Sequence, residues 1–382
     1  MERKLSLFLI MVILVTSILA GCNSTKVSEE VNNLEEGSGD EVDTSEEGIK
    51  VTDMAGREIT LEKPAEKVVA IGSALRIYTY INGTEKLVGV EKKQQDPESG
   101  RPYIMANTEL AQLPIVGEGF PAEPDPELII GADPDIIIAG DILDISEIEE
   151  LENKIDIPIV VVTTGSSAVF DENMYKSLEI IGKVVGKENR AEEVIRFMED
   201  CKNELMDLTK DIPEEEKPSI YIGGLSYKGA HGIESTSCNS PVLNTIGAKN
   251  AADEIGKTGS VMIDKEKLIE WDPDILVIDE NGLALVKEDY EKNPEYYNSL
   301  SAVKNKKVYG QLPYVSYYNN IETAMADIYF LGKILYPDEF KYIDPVEKAD
   351  EIYEFILGVK LYDEMAEKFG GYVKIDLEKD FQ

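Results

Sequence analysis

Two stretches of the chain repeat one another, and together they restrict the architecture. Residues 127–138 read Glu-Leu-Ile-Ile-Gly-Ala-Asp-Pro-Asp-Ile-Ile-Ile, and residues 266–277 read Glu-Lys-Leu-Ile-Glu-Trp-Asp-Pro-Asp-Ile-Leu-Val. In each copy an aspartate two positions upstream, Asp125 or Asp264, stands where a helix N-cap belongs, and a short apolar face follows. Proline cannot continue the helix, which must stop at Asp-Pro-Asp. The runs that follow, 136–139 and 275–278, have the length and β-branched bias of strands buried on both faces. Each copy is a helix–turn–strand piece of a parallel α/β sheet.

The same alternation continues on either side. Strands are predicted at residues 68–71, 87–90, 136–139 and 159–162 in the first half, and at 220–222, 275–279 and 307–309 in the second. Helices are predicted near 241–246 and 321–335. Residues 49–61 alternate across a central turn and read as a β-hairpin. Between the halves, 173–208 is the longest helical pattern, interrupted near Gly186-Lys187-Glu188. Ile195, Met198, Leu205 and Leu208 recur there at helical spacing. The expected fold class is α/β: two doubly wound lobes joined by a long backbone helix, with an N-terminal β-hairpin. A single stiff crossover permits only small closure on a ligand. A lone continuous core, or halves connected through several pliant crossings, would overturn this reading and any function drawn from it.

The N-terminus carries an address. A short basic start is followed by an uncharged apolar run from Leu5 to Ala20 and then by Leu19-Ala20-Gly21-Cys22, a small-residue cleavage site with a cysteine directly after it. A transmembrane anchor is the alternative, since the run approaches the roughly 17 residues that span a bilayer. It lacks an aromatic belt and a stop-transfer charge, which favours cleavage and lipidation at Cys22. Residues 23–48, rich in Glu, Asp, Ser and Gly, have too little apolar content to offset ordering entropy and are expected to form a disordered tether. The expected organisation is therefore 1–22 signal peptide, 23–48 tether, 49–170 first lobe, 171–215 connecting helix and 216–382 second lobe. Cys201 and Cys238 are too few for a disulfide scaffold; quiet buried thiols are expected, with a bridge between them as the alternative. The formal charge of −37 excludes a nucleic-acid partner, because phosphate binding needs clustered Lys and Arg.

The lipobox, the hairpin leading into Lys67-Val-Val-Ala-Ile-Gly-Ser, the segment Ile115-Val-Gly-Glu-Gly-Phe and the two Glu-x6-Pro-Asp units occur in an order that resembles a known family. It comprises the class III, helical-backbone substrate-binding proteins of ABC importers for iron-siderophores and vitamin B12. The resemblance covers about residues 49–340. It implies a lipid-anchored protein on the outer face of the cytoplasmic membrane that captures a solute between its lobes. The solute passes to ABC permease subunits driven by a cytoplasmic ATPase. It also implies that Glu127 and Glu266, at matching positions on the two lobes, engage arginines of the permease. A glutamate in the first turn of a helix is otherwise accounted for by the helix dipole, worth about 0.3 to 1 kcal/mol.

Open α/β sheets place ligands at the carboxyl ends of their strands. That directs attention to Ser73, Arg76, Phe120, Gly140-Asp141 and Thr164 in the first half. In the second half it points to the glycine-rich loop with Tyr227, Lys228 and His231, to Gly259-Ser260, to Glu280-Asn281 and to the cluster Tyr314, Tyr317 and Tyr318. With one histidine in the chain, capture of a bare transition metal is not expected. No resident cofactor is expected either. The expected cargo is a metal already wrapped in an organic ligand: a ferric siderophore, haem or a corrinoid. Arg76, Arg101 and Lys228 are candidate contacts for an anionic cargo, against the plain reading of each as a solvated surface charge. An enzyme is not expected, for no nucleophile elbow, zinc-protease helix or phosphate loop is present. A ligand-sensing or structural surface lipoprotein is the alternative function. After Pro345, helical spacing runs over 346–369 to a Gly370-Gly371 stop, and this segment is expected to pack on the second lobe.

Overall fold

The computed structural model describes residues 48–119, 124–141, 144–165, 169–226 and 228–381. The leader with Cys22, the tether up to residue 47, Phe120 and Tyr227 lie outside the described residues. An antiparallel hairpin of β1 (Ile49–Thr52) and β2 (Glu58–Leu61) opens the chain. The first sheet contains β3 (Val68–Gly72), β4 (Leu87–Gly89), β5 (Ile136–Gly140) and β6 (Ile159–Val162), all parallel, in the order β4-β3-β5-β6. The second half adds β7 (Ser219–Gly223), β8 (Ser235–Cys238), β9 (Lys249–Asn250), β10 (Gly259–Met262), β11 (Ile275–Asp279), β12 (Val308–Gln311) and β13 (Val373–Lys374). Its main sheet has the order β13-β12-β11-β7-β9, parallel except for β13, while β8 and β10 form a separate antiparallel pair.

Side-chain alternation decides which face each strand residue covers. In the first sheet Val68, Ala70, Ile136 and Ile138 face one apolar cluster, while Val69, Ile71 and Ile137 face a smaller one with Ile129, Ile148 and Leu151. The second sheet repeats the division. Ile220, Ile222, Ile275 and Val277 face the same large cluster, and Tyr221, Leu276 and Ile278 pack outward on Leu268, Val286 and Tyr297. One continuous apolar core thus runs between two separate sheets. Each sheet also has an outer cluster of its own, so the core is not a lone one, and helices fill the space that joins the two lobes.

The repeat has the same use in both halves. Its helices are Pro126–Ala132 and Lys265–Trp271, and they end on Asp133 and Asp272, whose φ of 52° and 39° lie in the left-handed region. The second aspartate of each Asp-Pro-Asp ties down a neighbouring strand. Asp135 accepts the backbone N–H groups of Glu66 and Lys67, each at 2.9 Å, and Asp274 accepts Ser219 N–H at 2.8 Å and its hydroxyl at 2.9 Å. Asp125 caps its helix through Glu127 and Leu128 N–H at 3.0 and 3.2 Å. Asp264 occupies the equivalent N-cap but makes no side-chain cap hydrogen bond, which corrects the expectation that both aspartates cap.

The expected break at Gly186 separates two helices, Glu172–Val185 and the spine Glu188–Thr209. The spine's 22 residues span about 33 Å at 1.5 Å each. It buries Ala191, Val194, Met198, Cys201 and Leu205, whereas Ile195 and Leu208 are only half-buried. The C-terminal segment departs from expectation in two respects. It forms two helices, Pro345–Leu357 and Tyr362–Phe369, with Gly358 in the left-handed region between them. The first lies along Ile321–Leu335 of the second half and also touches Ala74–Tyr80 and Pro102–Met105 of the first. Phe355 stacks on Phe197 of the spine at 4.0 Å, and Lys348 pairs with Glu204 at 3.3 Å. The chain crosses between the lobes once, but the joint is several helices thick.

Candidate ligand cleft

In each main sheet the strand order reverses between two neighbours, and the loops leaving those strands diverge to form a crevice. In the first sheet these are β3 and β5, followed by Ser73 and Asp141. In the second they are β7 and β11, followed by Ser226 and Asn281, whose side chains are hydrogen-bonded to each other. The first-half crevice is organised by the Asp141 carboxylate. It accepts Ser73 Oγ at 2.6 Å, Thr163 Oγ1 at 2.7 Å, and Thr164 through Oγ1 at 2.9 Å and N at 3.0 Å. A methyl group on Gly140 would fall 2.5 Å from Ser73 Oγ, so this approach requires glycine.

A turn from the second half reaches across to this cluster. Tyr318 donates its hydroxyl to the Asp141 carbonyl at 2.8 Å, and the Tyr317 hydroxyl lies 3.4 Å from Glu91 Oε2. Arg76, from the first half, donates through Nη2 to the carbonyls of Ser316 and Tyr317 at 3.1 and 2.5 Å. Tyr317 and Tyr318 have φ of 48° and 70°, a left-handed conformation that costs a non-glycine residue energy. Burial raises the Glu91 carboxyl above its ordinary value, although Gln94 and the Gly72 N–H oppose the shift. Burial also raises Glu322, which the Arg76 charge pulls back, and it pushes the Tyr318 hydroxyl up to about 12.

A cavity of about 690 Å³ lies beside this joint. Val169 and Phe170 bound it from the first half, Lys202 and Met206 from the spine, and Leu225, Ser226, Asn239, Ser260, Tyr314 and Asn319 from the second. Of the residues singled out in the sequence, the structure brings Tyr314 to this cavity, together with Ser226 and Gly259-Ser260 of the loops named with it. Ser73, Arg76, Thr164, Tyr317 and Tyr318 gather instead in the interlobe joint. Lys228 is exposed and His231 half-buried, and neither lines the cavity. Arg76 and Arg101 are 1% and 5% exposed, so the plain reading of either as a solvated surface charge is corrected. Arg76 stacks over Tyr103 and Arg101 over Tyr317.

Lys202 and Met206 were not singled out in the sequence. The row Met198, Lys202, Met206, spaced by four along the spine, was the available signal. Cys201 and Cys238 are both free and buried, which disposes of the bridge. Burial pushes the Cys201 thiol up to about 11, which disfavours the nucleophilic thiolate. On the outer surface Glu127 and Glu266 are exposed in the first turns of their repeat helices. Leu128 and Ile130 beside the first, and Ile269 beside the second, are 40–50% exposed.

Comparison with known proteins supplies the family. Residues 68–313, more than half of the chain, match the periplasmic binding protein family. The chain is 24% identical over 294 residues to an uncharacterised ABC transporter substrate-binding lipoprotein, YvrC of Bacillus subtilis, covering 77% of this chain and 87% of the relative. It is 20% identical over 323 residues to the molybdate-binding protein MolA of Haemophilus influenzae, covering 80% and 89%. The structure of MolA bound to molybdate superposes with a TM-score of 0.64 at 19% identity, over 81% of this chain and 98% of that one. A TroA-like periplasmic binding protein, FepB of Veillonella parvula, gives 0.62 at 23% identity, over 82% and 97%. These structural likenesses show the fold. With the family match over both lobes and the spine between them, the chain belongs to the periplasmic binding protein family, as an extracytoplasmic substrate-binding protein of an ABC transporter with the fold of the TroA-like binding proteins.

Proposed function

We propose that this protein is a lipoprotein, anchored through Cys22, that captures a metal chelate in the cleft between its lobes and delivers it to an ABC permease with a cytoplasmic ATPase. The observation that carries the proposal is the lining of the 690 Å³ cavity, in which no described residue is His, Cys, Asp or Glu. Among the described residues, no group of three or more such side chains is placed to hold a metal ion. A cargo bound here would bring its own coordination shell, and the volume falls in the range of sites for drug-sized molecules. A ferric siderophore, haem or a corrinoid meets both conditions. Tyr314 would lie against the cargo, and Ser73, Arg76, Thr164, Tyr317 and Tyr318 would hold the lobes closed beside it. Glu127 and Glu266 would dock the permease. The lipid anchor rests on the lipobox and is supported by the relative YvrC, itself called a lipoprotein.

Native mass spectrometry of gently purified protein tests this reading. A retained organic molecule carrying iron is the expected result, and one carrying cobalt would select the corrinoid. A bare oxyanion, or no retained ligand together with no thermal shift on adding any chelate, would refute it. Cys22→Ala should move the protein from the membrane fraction to the soluble fraction.

A further inference from the structure

The cavity has a charge sign opposite to that of the protein. The chain holds 75 Asp and Glu against 38 Lys and Arg, so an average surface would place an acid at about one lining position in five. Not one described lining residue is acidic. The charged residue that does line the cavity is Lys202 of the spine, which is half-buried and forms no ion pair with any described residue. Around it stand uncharged donors, Ser226, Asn239, Asn244 and Asn319, with Phe170 and Tyr314 among the aromatic walls.

This arrangement has an electrostatic purpose. The net charge of −37 favours approach of cations and repels anions, but that field is screened beyond about 8 Å at physiological ionic strength. Inside the cleft the nearest charge decides. An unpaired ammonium facing a cavity is costly to enclose unless an anion enters with the ligand. Its three donors on a flexible stem adapt to phenolate or carboxylate oxygens at the edge of a chelate. We infer that Lys202 is the specificity-determining residue of the cleft and selects chelates of net negative charge. The inference rests on the proposed capture of a metal chelate and adds the class of chelate taken.

Calorimetric titration with three probes tests it: a trianionic ferric tris-catecholate, a neutral ferric tris-hydroxamate, and a ferric tris-hydroxamate bearing a pendant ammonium. The trianionic complex should bind tightest. Lys202→Met should weaken it by roughly ten- to a hundredfold, as expected for loss of a charged hydrogen bond, and should change the neutral complex by less than about threefold. Lys202→Arg should retain the preference, and circular dichroism should show both variants folded. The inference is overturned if Lys202→Met leaves binding of the trianion unchanged, or if the wild-type protein prefers the ammonium-bearing probe. If the folded wild-type protein binds none of the three, the chelate reading itself fails and takes this inference with it.

Discussion

Burial of Glu280 should make its contribution to stability fall as pH rises through neutrality. Glu280 follows β11, is 5% exposed, and lies under the Gly370-Gly371 turn, where its Oε2 accepts Gly371 N–H at 2.7 Å. Asp279 and Asp327 are buried beside it, and Tyr372 donates to Asp327 at 3.0 Å. Burial raises the Glu280 carboxyl from 4.5 to about 8; the Gly371 N–H opposes the shift and Asp279 adds to it. The folded protein therefore keeps a proton that the unfolded chain releases. This contribution is complete below about pH 4.5 and is lost as pH rises to about 8, at a rate of about 1.4 kcal/mol per pH unit and about 5 kcal/mol over the whole interval. Glu280→Gln stays neutral and keeps an oxygen for Gly371. The variant should match wild type within about 1 kcal/mol at pH 5 and exceed its stability by about 4 kcal/mol at pH 8. Urea unfolding followed by circular dichroism at several pH values measures the difference. A gain that is the same at pH 5 and pH 8 would refute the argument. Asp279 and Asp327, both raised well above the ordinary range by burial, leave a residual slope of the same sign in either protein.

Other consequences can be checked separately. Asp135→Ala and Asp274→Ala each strip acceptors from the start of a neighbouring strand and should each cost about 1 to 3 kcal/mol in urea unfolding; a negligible effect in either would show that its tie is replaced by water. Gly332→Ala would place a methyl group 2.3 Å from the Phe340 ring and should destabilise by about 1 to 3 kcal/mol, seen as a lower melting temperature. Tyr318→Phe removes the hydrogen bond to Asp141 across the joint and should speed ligand release by roughly two- to tenfold in stopped-flow measurements; an unchanged off-rate would show that the joint does not gate the cavity. Glu127→Arg combined with Glu266→Arg should abolish uptake with ligand affinity preserved, whereas loss of affinity and fold together would assign these residues a structural role.

The most readable parts of the sequence were those governed by local rules. Proline after Asp133 and Asp272 ends two helices, and Ile136–Gly140 and Ile275–Asp279 are so β-branched that burial on both faces follows. Gly186 marks the break before the spine for an equally local reason, its φ of 72°. What stayed hidden depends on contacts distant in sequence. Arg76 and Arg101 resemble surface charges until Ser316, Tyr317 and Tyr103 cover them. Pro345–Leu357 has an apolar face that says nothing of which lobe it meets, and it meets both. Lys202 reads as one more solvated charge on an acidic helix, and only the fold turns it toward a cavity. Asp264 has the residue type and position of a cap, yet its side chain is not used as one.

The thickness of the interlobe joint limits how the molecule can move. With Phe355 stacked on Phe197 and the Pro345–Leu357 helix resting on elements of both halves, the lobes cannot swing apart without unstacking an aromatic pair and dragging the C-terminal segment along. Packed helices in this situation yield by shear, in small slides that keep their contacts. Cargo entry should leave the radius of gyration nearly unchanged in solution scattering and register instead in probes set at the Phe197–Phe355 seam. The last forty or so residues thus serve as part of the bearing, and a fusion or truncation there would change how freely it turns.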